Sequence, residues 1–532
     1  MMKPALHRWS ISFTLILFLR TVVFAQGTII TVLHVNDTHS HLDATGPKDA
    51  NLNGTLGGIA KAATVIRSVR NVEPNVLLLH AGDLFQGDLF FNKYLGVPEL
   101  ELMKQLGFDA MVVGNHEFDL GPGVLYKTLS QAFAHSSFPI LSANLDMSAY
   151  TDLTKWIKPS VVKTVGGVRI GIFGMSVPDD PTTRPAPVVI LSDIVPIAEK
   201  AVVELRKGGA NVVICLSHLG TRYDRMIAEK VSGIDFIVGG HDHLLLRRPL
   251  SVKNPDGRKT QIVQAGKHYR YIGKLRFKVE KGSVHLLEYR ILPVTAAVEP
   301  EAYADSVVNS LKRSIIQDYG DVYGSVLGWA STDLEKRHDR KTSTRDTPMG
   351  NLISDAYRNK TGTDLALTAN GLISEKIWAG PIVGADVFRA VSYGFDDSTR
   401  LGYRLATFEI LGSELIRGLG RGVSNVEIED NYLIQVSGMS YKYDPRKSVG
   451  QRVIVESIRI NGRPIVRDRK YTVTVNEGIV GMLNAVGMNV ENIKVVPDFE
   501  YLVLRDYIAK LRTVDRSSLG RIREWKADRP PN

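Results

Sequence analysis

The chain has 532 residues, 44% hydrophobic and 23% charged, with a formal net charge of +10 and one cysteine, Cys215. That length calls for two or more domains, and the composition is that of a globular protein with ample material for its cores. A single cysteine excludes an intrachain disulfide and a thiolate metal cluster, and without a basic run interleaved with aromatics nucleic-acid binding has no support.

The first 25 residues read as a secretory signal. Lys3 and Arg8 are its basic segment, residues 11–19 its apolar core and Val23-Phe24-Ala25 its cleavage site. Arg20 ends the apolar stretch far short of the roughly 20 residues that a spanning helix needs. No other stretch is long and apolar enough to span a membrane. The mature chain, beginning near Gln26, is therefore expected to be secreted or periplasmic. Losing Lys3, Arg8 and Arg20 takes its charge from +10 to +7. A basic surface suits phosphorylated substrates, and it equally describes scattered Lys and Arg.

From residue 28 to about 295, apolar runs alternate with helical patterns. Runs at 28–35, 76–79, 110–113, 212–216 and 236–238 are short, bounded by turn residues and rich in Val, Ile and Leu, as buried strands are. Each ends in a cluster of polar residues. In order these are Asn36-Asp37-Thr38-His39, Gly82-Asp83, Gly114-Asn115-His116-Glu117, Ser217-His218 and Gly239-Gly240-His241-Asp242-His243. Helices are expected over 58–69, 97–106 and 194–207, a hairpin over 161–165 and 169–173, and a turn at Asn254-Pro255-Asp256-Gly257. The alternation predicts an α/β layered domain over 26–298. Loops leaving the strands of one sheet gather at one edge, so the clusters would meet there.

A helix over 300–319, carrying Val307, Leu311 and Ile315, reads as an interdomain connector within 299–324. Beyond it, 325–526 reads as a mixed α+β domain with strands at 325–330 and 364–368 and a helix over 349–360. The polar tail 527–532 is expected to be disordered.

Carboxylate, imidazole and amide ligands suit Zn, Mn, Mg, Co or Fe, and this donor set accepts several of them. Two such ions, roughly 3.5–4 Å apart, can hold a bridging hydroxide and both ends of an in-line displacement at phosphorus. Asp37 and His39, two residues apart, would share a face in a regular strand. Asp83 follows Gly82, which admits close backbone approach.

The ordered set Asp37-x-His39, Gly82-Asp83-x-x-Gln86-Gly87, Gly114-Asn115-His116-Glu117, His218 and Gly240-His241-x-His243 resembles the calcineurin-like metallophosphoesterases, specifically the secreted 5′-nucleotidase family. The likeness continues at Phe138-Pro139-x-Leu141-x-Ala143-Asn144, Gln264-Ala265-Gly266 and Gly350-Asn351-Leu352. It implies a four-layer sandwich, two sheets flanked by helices, joined to a C-terminal substrate domain. It also implies two divalent ions on Asp37, His39, Asp83, Asn115, His218, His241 and His243, with Asp83 as the bridge. His116 then stands as the catalytic imidazole and Asp119 as the carboxylate that orients it. Glu117, His34 and His41 read as supporting residues, and Asp242 as pointing away. The implied substrate is a small-molecule phosphate ester, a nucleotide above all.

In this family the second domain clamps its substrate with arginines and sandwiches the base between two rings. Arg345 matches the first clamp. The motif Asn-Gly-Gly-Gly-Ile-Arg is represented by Asn370, Gly371, Leu372, Ile373 and Ser374, with Ser374 in place of the arginine. Pro-Phe-Gly becomes Ser392-Tyr393-Gly394, which leaves Tyr393 able to stack, and the late aromatic motif is not recognisable around 476–488. Arg345, Asn370, Gly371 and Tyr393 are thus the candidate substrate residues. Three readings follow: a nucleotide phosphohydrolase, a sister hydrolase of cyclic nucleotides, nucleotide sugars or sulfur esters, and a non-catalytic binding protein. Neither the native metal nor the oligomeric state is fixed by the sequence.

Overall fold

The computed structural model describes residues 27–178, 183–516 and 519–525, so the expected signal segment 1–25 and tail 527–532 lie outside the described residues. The apolar runs form strands because they are covered on both faces. Thr28–Val35, Val76–His80, Ala110–Val112 and Ile140–Leu141 lie side by side and parallel. They form the middle of a seven-stranded sheet, closed on one side by Ile157–Lys158 and on the other by the antiparallel pair Tyr271–Glu280 and Ser283–Pro293. A six-stranded sheet runs Leu250–Lys253, Lys259–Val263, Phe236–Val238, Val212–His218, Val168–Ser176, Ser160–Val165.

The sheets meet through alternate residues, as the two-residue strand period requires. Ile30, Val32, Leu77 and Leu79 pack against Ile170, Ile172, Ile214 and Val238, all fully buried. The intervening residues face outward onto helices. Leu33, Val35 and Leu78 share a core with the helix Ile59–Arg70, and Val213 and Cys215 share one with Ile194–Lys207 and Thr221–Lys230. The helices keep to this role through one apolar face; in Ile59–Arg70 it is Ile59, Ala62, Ala63, Ile66 and Val69. The result is the expected sandwich of two sheets between helical layers. Burial pushes the Cys215 thiol well above its ordinary range, so it is an inert packed group.

Parallel strands put their C-terminal ends on one edge, and there the polar clusters collect. One expectation is corrected: His218 is not in a loop but ends its strand, because Ser217 and His218 stay paired with Met175 and Ser176.

The connector forms as the helix Ala302–Tyr319. Glu301 caps it by accepting from the Ala304 N–H at 2.9 Å, and Ala304, Val308 and Ile315 are buried. The C-terminal domain holds a five-stranded sheet, Ile434–Ser437, Leu365–Ala369, Lys470–Asn476, Arg404–Leu411, Glu491–Phe499, with smaller sheets beside it. Its helix Pro348–Thr361 starts where the Thr347 hydroxyl accepts from the Gly350 N–H at 2.9 Å.

Buried polar contacts dock this domain over the ligand-bearing edge. Arg389 pairs with Asp88 at 2.5 Å, and both side chains are buried. The Gln86 amide donates to the Ser392 carbonyl at 2.7 Å, and Asn92 to that of Arg400 at 2.8 Å. Residues 389–400 are thereby held against the first domain.

Candidate metal centre and active site

The site is built on strained turns. Asp37, His39, Asp83, Gln86, His241 and His243 all have φ between 47° and 83°. Non-glycine residues rarely adopt this left-handed region, at a cost on the order of 1–3 kcal/mol each. The expectation that strand alternation aligns Asp37 with His39 is therefore corrected. The strand ends at Val35, and left-handed residues beyond it carry both side chains inward. Close packing demands glycine beside them: a Cβ on Gly82 would stand 2.5 Å from His218 Nδ1.

All seven expected ligand residues converge. Ligand atoms of Asp37, His39, Asp83 and His243 lie within 4.8 Å of one another, as do those of Asp83, His218 and His241. Asp83 belongs to both groups, the place a bridging carboxylate must occupy. Asn115 joins the second group, its Oδ1 3.1 Å from His218 Nε2 and 3.1 Å from His241 Nδ1. Backbone acceptors fix the rings. His218 Nδ1 donates to the Ala81 carbonyl at 2.7 Å and His39 Nδ1 to that of Phe85 at 3.1 Å, which turns each Nε2 toward the cluster.

Two residues organise the ligands without belonging to them. Glu117, as expected, is structural: its carboxylate accepts from the N–H groups of Gly114 (2.5 Å), Leu84 (2.8 Å), Asp83 (3.2 Å) and Phe85 (3.2 Å). Asn36, which sequence reasoning passed over, donates to Asp37 at 2.5 Å and to the Gly266 carbonyl at 2.6 Å, and accepts from the Ala265 N–H at 2.9 Å. That explains the Gln264-Ala265-Gly266 segment as a brace. His41 steadies the same turn by donating to the His39 carbonyl at 2.7 Å and stacking on His268 at 3.5 Å. His34 stacks on Tyr289. Asp242 accepts from the Thr221 N–H at 2.9 Å and belongs to neither ligand group.

The residues fit divalent ions. Burial pushes Asp37 up to about 8, and the neighbouring Asp83 adds to the push. Divalent cations are the charge that would stabilise both carboxylates. Two carboxylates, four imidazoles and one amide are the oxygen and nitrogen donors that such ions take.

Beside the ligands stands His116. Its Nδ1 donates to Asp119 at 2.7 Å and its backbone N–H to Asp83 at 3.1 Å. Burial works against its charged form, but Asp119 and Asp83 outweigh burial and hold the imidazole well above its ordinary pKa. It is not part of either ligand group. Tyr393, from the second domain, stacks on its ring at 5.6 Å.

The other second-domain candidates divide. Arg345 is fully engaged: Nε and Nη2 hold Glu524, at 2.8 and 2.5 Å, and Nη1 donates to the carbonyls of Thr342 and Thr344. In this arrangement it braces the C-terminal strand Ile522–Glu524 and presents no clamp, contrary to the expectation from its motif. Asn370 is buried; its Oδ1 accepts from Gln435 at 2.8 Å, while its amide nitrogen has no partner among the described residues. Gly371 abuts Asn431, to which its N–H donates at 2.8 Å. Ser374 accepts from the Ser392 hydroxyl at 2.9 Å, next to Tyr393. Counted from Asn370, however, the sixth position of the family's motif is Glu375, one residue beyond Ser374. Glu375 is buried and faces Lys267 at 2.8 Å, His268 at 3.2 Å and Arg270 at 3.4 Å. An acid held by three first-domain groups therefore stands where the family has its arginine, and the residue-by-residue count was the signal for it.

Comparison with known proteins places the chain in one family. Residues 30–245 match the calcineurin-like phosphoesterase family, and residues 326–485 the 5′-nucleotidase C-terminal domain. The crystal structure of a 5′-nucleotidase precursor from Thermus thermophilus is 31% identical, covers 94% of this chain and 100% of its own, and superposes with a TM-score of 0.82. The trifunctional nucleotide phosphoesterase protein YfkN of Bacillus subtilis is 30% identical over 84% of this chain, which spans only 31% of that relative's length. The 5′-nucleotidase of Bos taurus is 27% identical over 93% of this chain and 90% of its own.

Proposed function

The chain belongs to the 5′-nucleotidase family of calcineurin-like phosphoesterases, metal-dependent hydrolases, and on that premise we propose that it hydrolyses phosphate monoesters of nucleotides and related compounds. The observation that carries the reading is Asp83, shared by two ligand groups, with the His116–Asp119 pair beside them. Asp37, His39, Asp83 and His243 would hold one divalent ion, and Asp83, Asn115, His218 and His241 a second. Such ions supply Lewis-acid stabilisation of phosphoryl charge and an activated water at neutral pH.

The chain's own residues supply orientation and the proton. Asp119 fixes the Nδ1–H of His116, so Nε2 carries the proton that meets the ester. A water oxygen bonds phosphorus in line while the ester P–O bond breaks. The electron pair leaves on the alcohol oxygen, which takes its proton from Nε2. Tyr393, stacked on His116, walls the site on the second-domain side.

The basic, apolar and small-residue order of residues 1–25 supports export, with the mature chain starting near Gln26. Among the described residues no helix is long and apolar enough to cross a membrane.

The deciding experiment is kcat/KM of the metal-loaded protein, with Mn, Zn, Mg or Co added, for adenosine monophosphate, ribose 5-phosphate and an aryl phosphate. Turnover of all three is expected. The nucleotide preference should stay below about a thousandfold, roughly 4 kcal/mol, because the motif arginine is lost. Absence of turnover with every metal would refute the hydrolase reading.

A further inference from the structure

The second domain carries an acid where the family has its arginine, and the cations that meet it belong to the first domain. Glu375 is buried, with Lys267 Nζ at 2.8 Å, His268 Nδ1 at 3.2 Å and Arg270 Nη2 at 3.4 Å. Among the described residues no other carboxylate pairs with Lys267 or Arg270. Burial alone would raise the carboxyl's pKa, but Lys267 and Arg270 hold it well below the ordinary carboxylate range, so Glu375 is ionised. The segment that it grips supports the metal ligands. The His268 N–H donates to the Asp37 carbonyl at 2.9 Å. Its ring stacks on His41 with centroids 3.5 Å apart and stands edge-on to His39 at 5.9 Å.

Lys267 also acts on the ligands through its charge. Burial, and then the Lys267 ammonium, disfavours a proton on His243. A charge that repels a proton at an imidazole nitrogen repels a metal cation there by the same Coulomb interaction, and repels a divalent one more strongly. An ion on Asp37, His39, Asp83 and His243 therefore needs the nearby cations to be balanced, and the balancing carboxylate comes from the second domain. The other ligand group differs: against burial, Asp83 and Asp37 favour positive charge at His218. We propose that Glu375 is a positioning residue of the metal centre, the counter-charge that allows one of its two ions to bind, so that this ion is held with the help of the second domain. This rests on the two-ion reading above.

The test is Mn(II) binding to the metal-free full chain, followed by calorimetry and by elemental analysis after dialysis. Wild type should take up two ions. Glu375→Gln should bind one of them about tenfold to a hundredfold more weakly, the range for losing a group that supports a ligand, and the other as tightly as before. Adding Lys267→Met to Glu375→Gln should bring the weakened ion back to within about threefold of wild type, because the stranded ammonium is gone. Asn92→Ala removes a different interdomain bond, to the Arg400 carbonyl, and should keep both ions. Equal affinities in wild type and Glu375→Gln overturn the proposal, as does a double variant that binds no tighter than Glu375→Gln. A loss in Asn92→Ala as large as that in Glu375→Gln assigns the effect to docking and also overturns it. Should Glu375→Gln fail to fold, Lys267→Met alone decides: it must hold the ion more tightly than wild type, and an equal or weaker hold overturns the proposal. A wild type that binds fewer than two ions refutes the two-ion reading, and the counter-charge with it.

Discussion

Tyr393 of the C-terminal domain lies against His116 of the N-terminal domain, ring centroids 5.6 Å apart and planes inclined by 25°. The catalytic candidate is thus packed by a ring from the other domain. Loss of that ring should affect binding and chemistry together. Tyr393→Ala is expected to lower kcat/KM for adenosine monophosphate about tenfold to a hundredfold, the worth of roughly 1–3 kcal/mol of stacking. Tyr393→Phe should retain most of the activity. Equal losses in both variants would assign the effect to the hydroxyl and remove the stacking role.

Asp83→Asn and His116→Ala are both expected to lose nearly all hydrolysis, by at least about a hundredfold. They should differ in metal. Asp83 is common to both ligand groups and His116 belongs to neither. Elemental analysis should find Asp83→Asn depleted and His116→Ala fully loaded. A metal-free His116→Ala would show that the imidazole is a ligand.

The Asp88–Arg389 pair joins the domains with both side chains buried. Removing one partner strands the other charge in the interior, a loss of about 3–5 kcal/mol. Asp88→Ala should therefore lower the melting temperature sharply, while the double variant Asp88→Leu, Arg389→Met should recover much of the loss. A double variant as unstable as the sum of its parts would show that the two residues act independently.

Glu500 is buried against Tyr357 and accepts from Asn476 at 3.0 Å. Burial raises its pKa from 4.5 to about 8. Between those values the folded chain keeps a proton that the unfolded chain has released. Its contribution to stability is therefore fully present below about pH 4.5 and lost as pH rises through about 8. Glu500→Gln, which is always neutral, should be more stable than wild type at pH 8 and should flatten the decline between pH 5.5 and 8. Denaturant titrations at those two pH values check this, and parallel curves for the two proteins would count against a protonated Glu500.

The five apolar runs and the polar cluster after each determined a layered α/β domain with its polar clusters at one edge, and the resemblance of those clusters to the metallophosphoesterase motifs singled out the seven ligand candidates. Burial on both faces writes itself as unbroken Val, Ile and Leu, and imidazole and carboxylate have few other reasons to recur at strand ends. His116 came from the same resemblance, and its pairing with Asp119 was legible because the two stand three residues apart. Asp37 and His39 show where local reading stops. Their approach depends on left-handed backbone that neighbouring loops impose, which no strand period contains. Arg345 shows it again, since its partner Glu524 lies 179 residues away and only the closed fold reveals that the guanidinium is occupied. Lys267 and Glu375 come from separate segments, and although the motif count points to position 375, Lys267 looks like an ordinary surface charge in sequence. Tertiary structure alone brings them to 2.8 Å of each other, because charge pairing across a domain interface depends on distance in space and leaves no periodic trace along the chain.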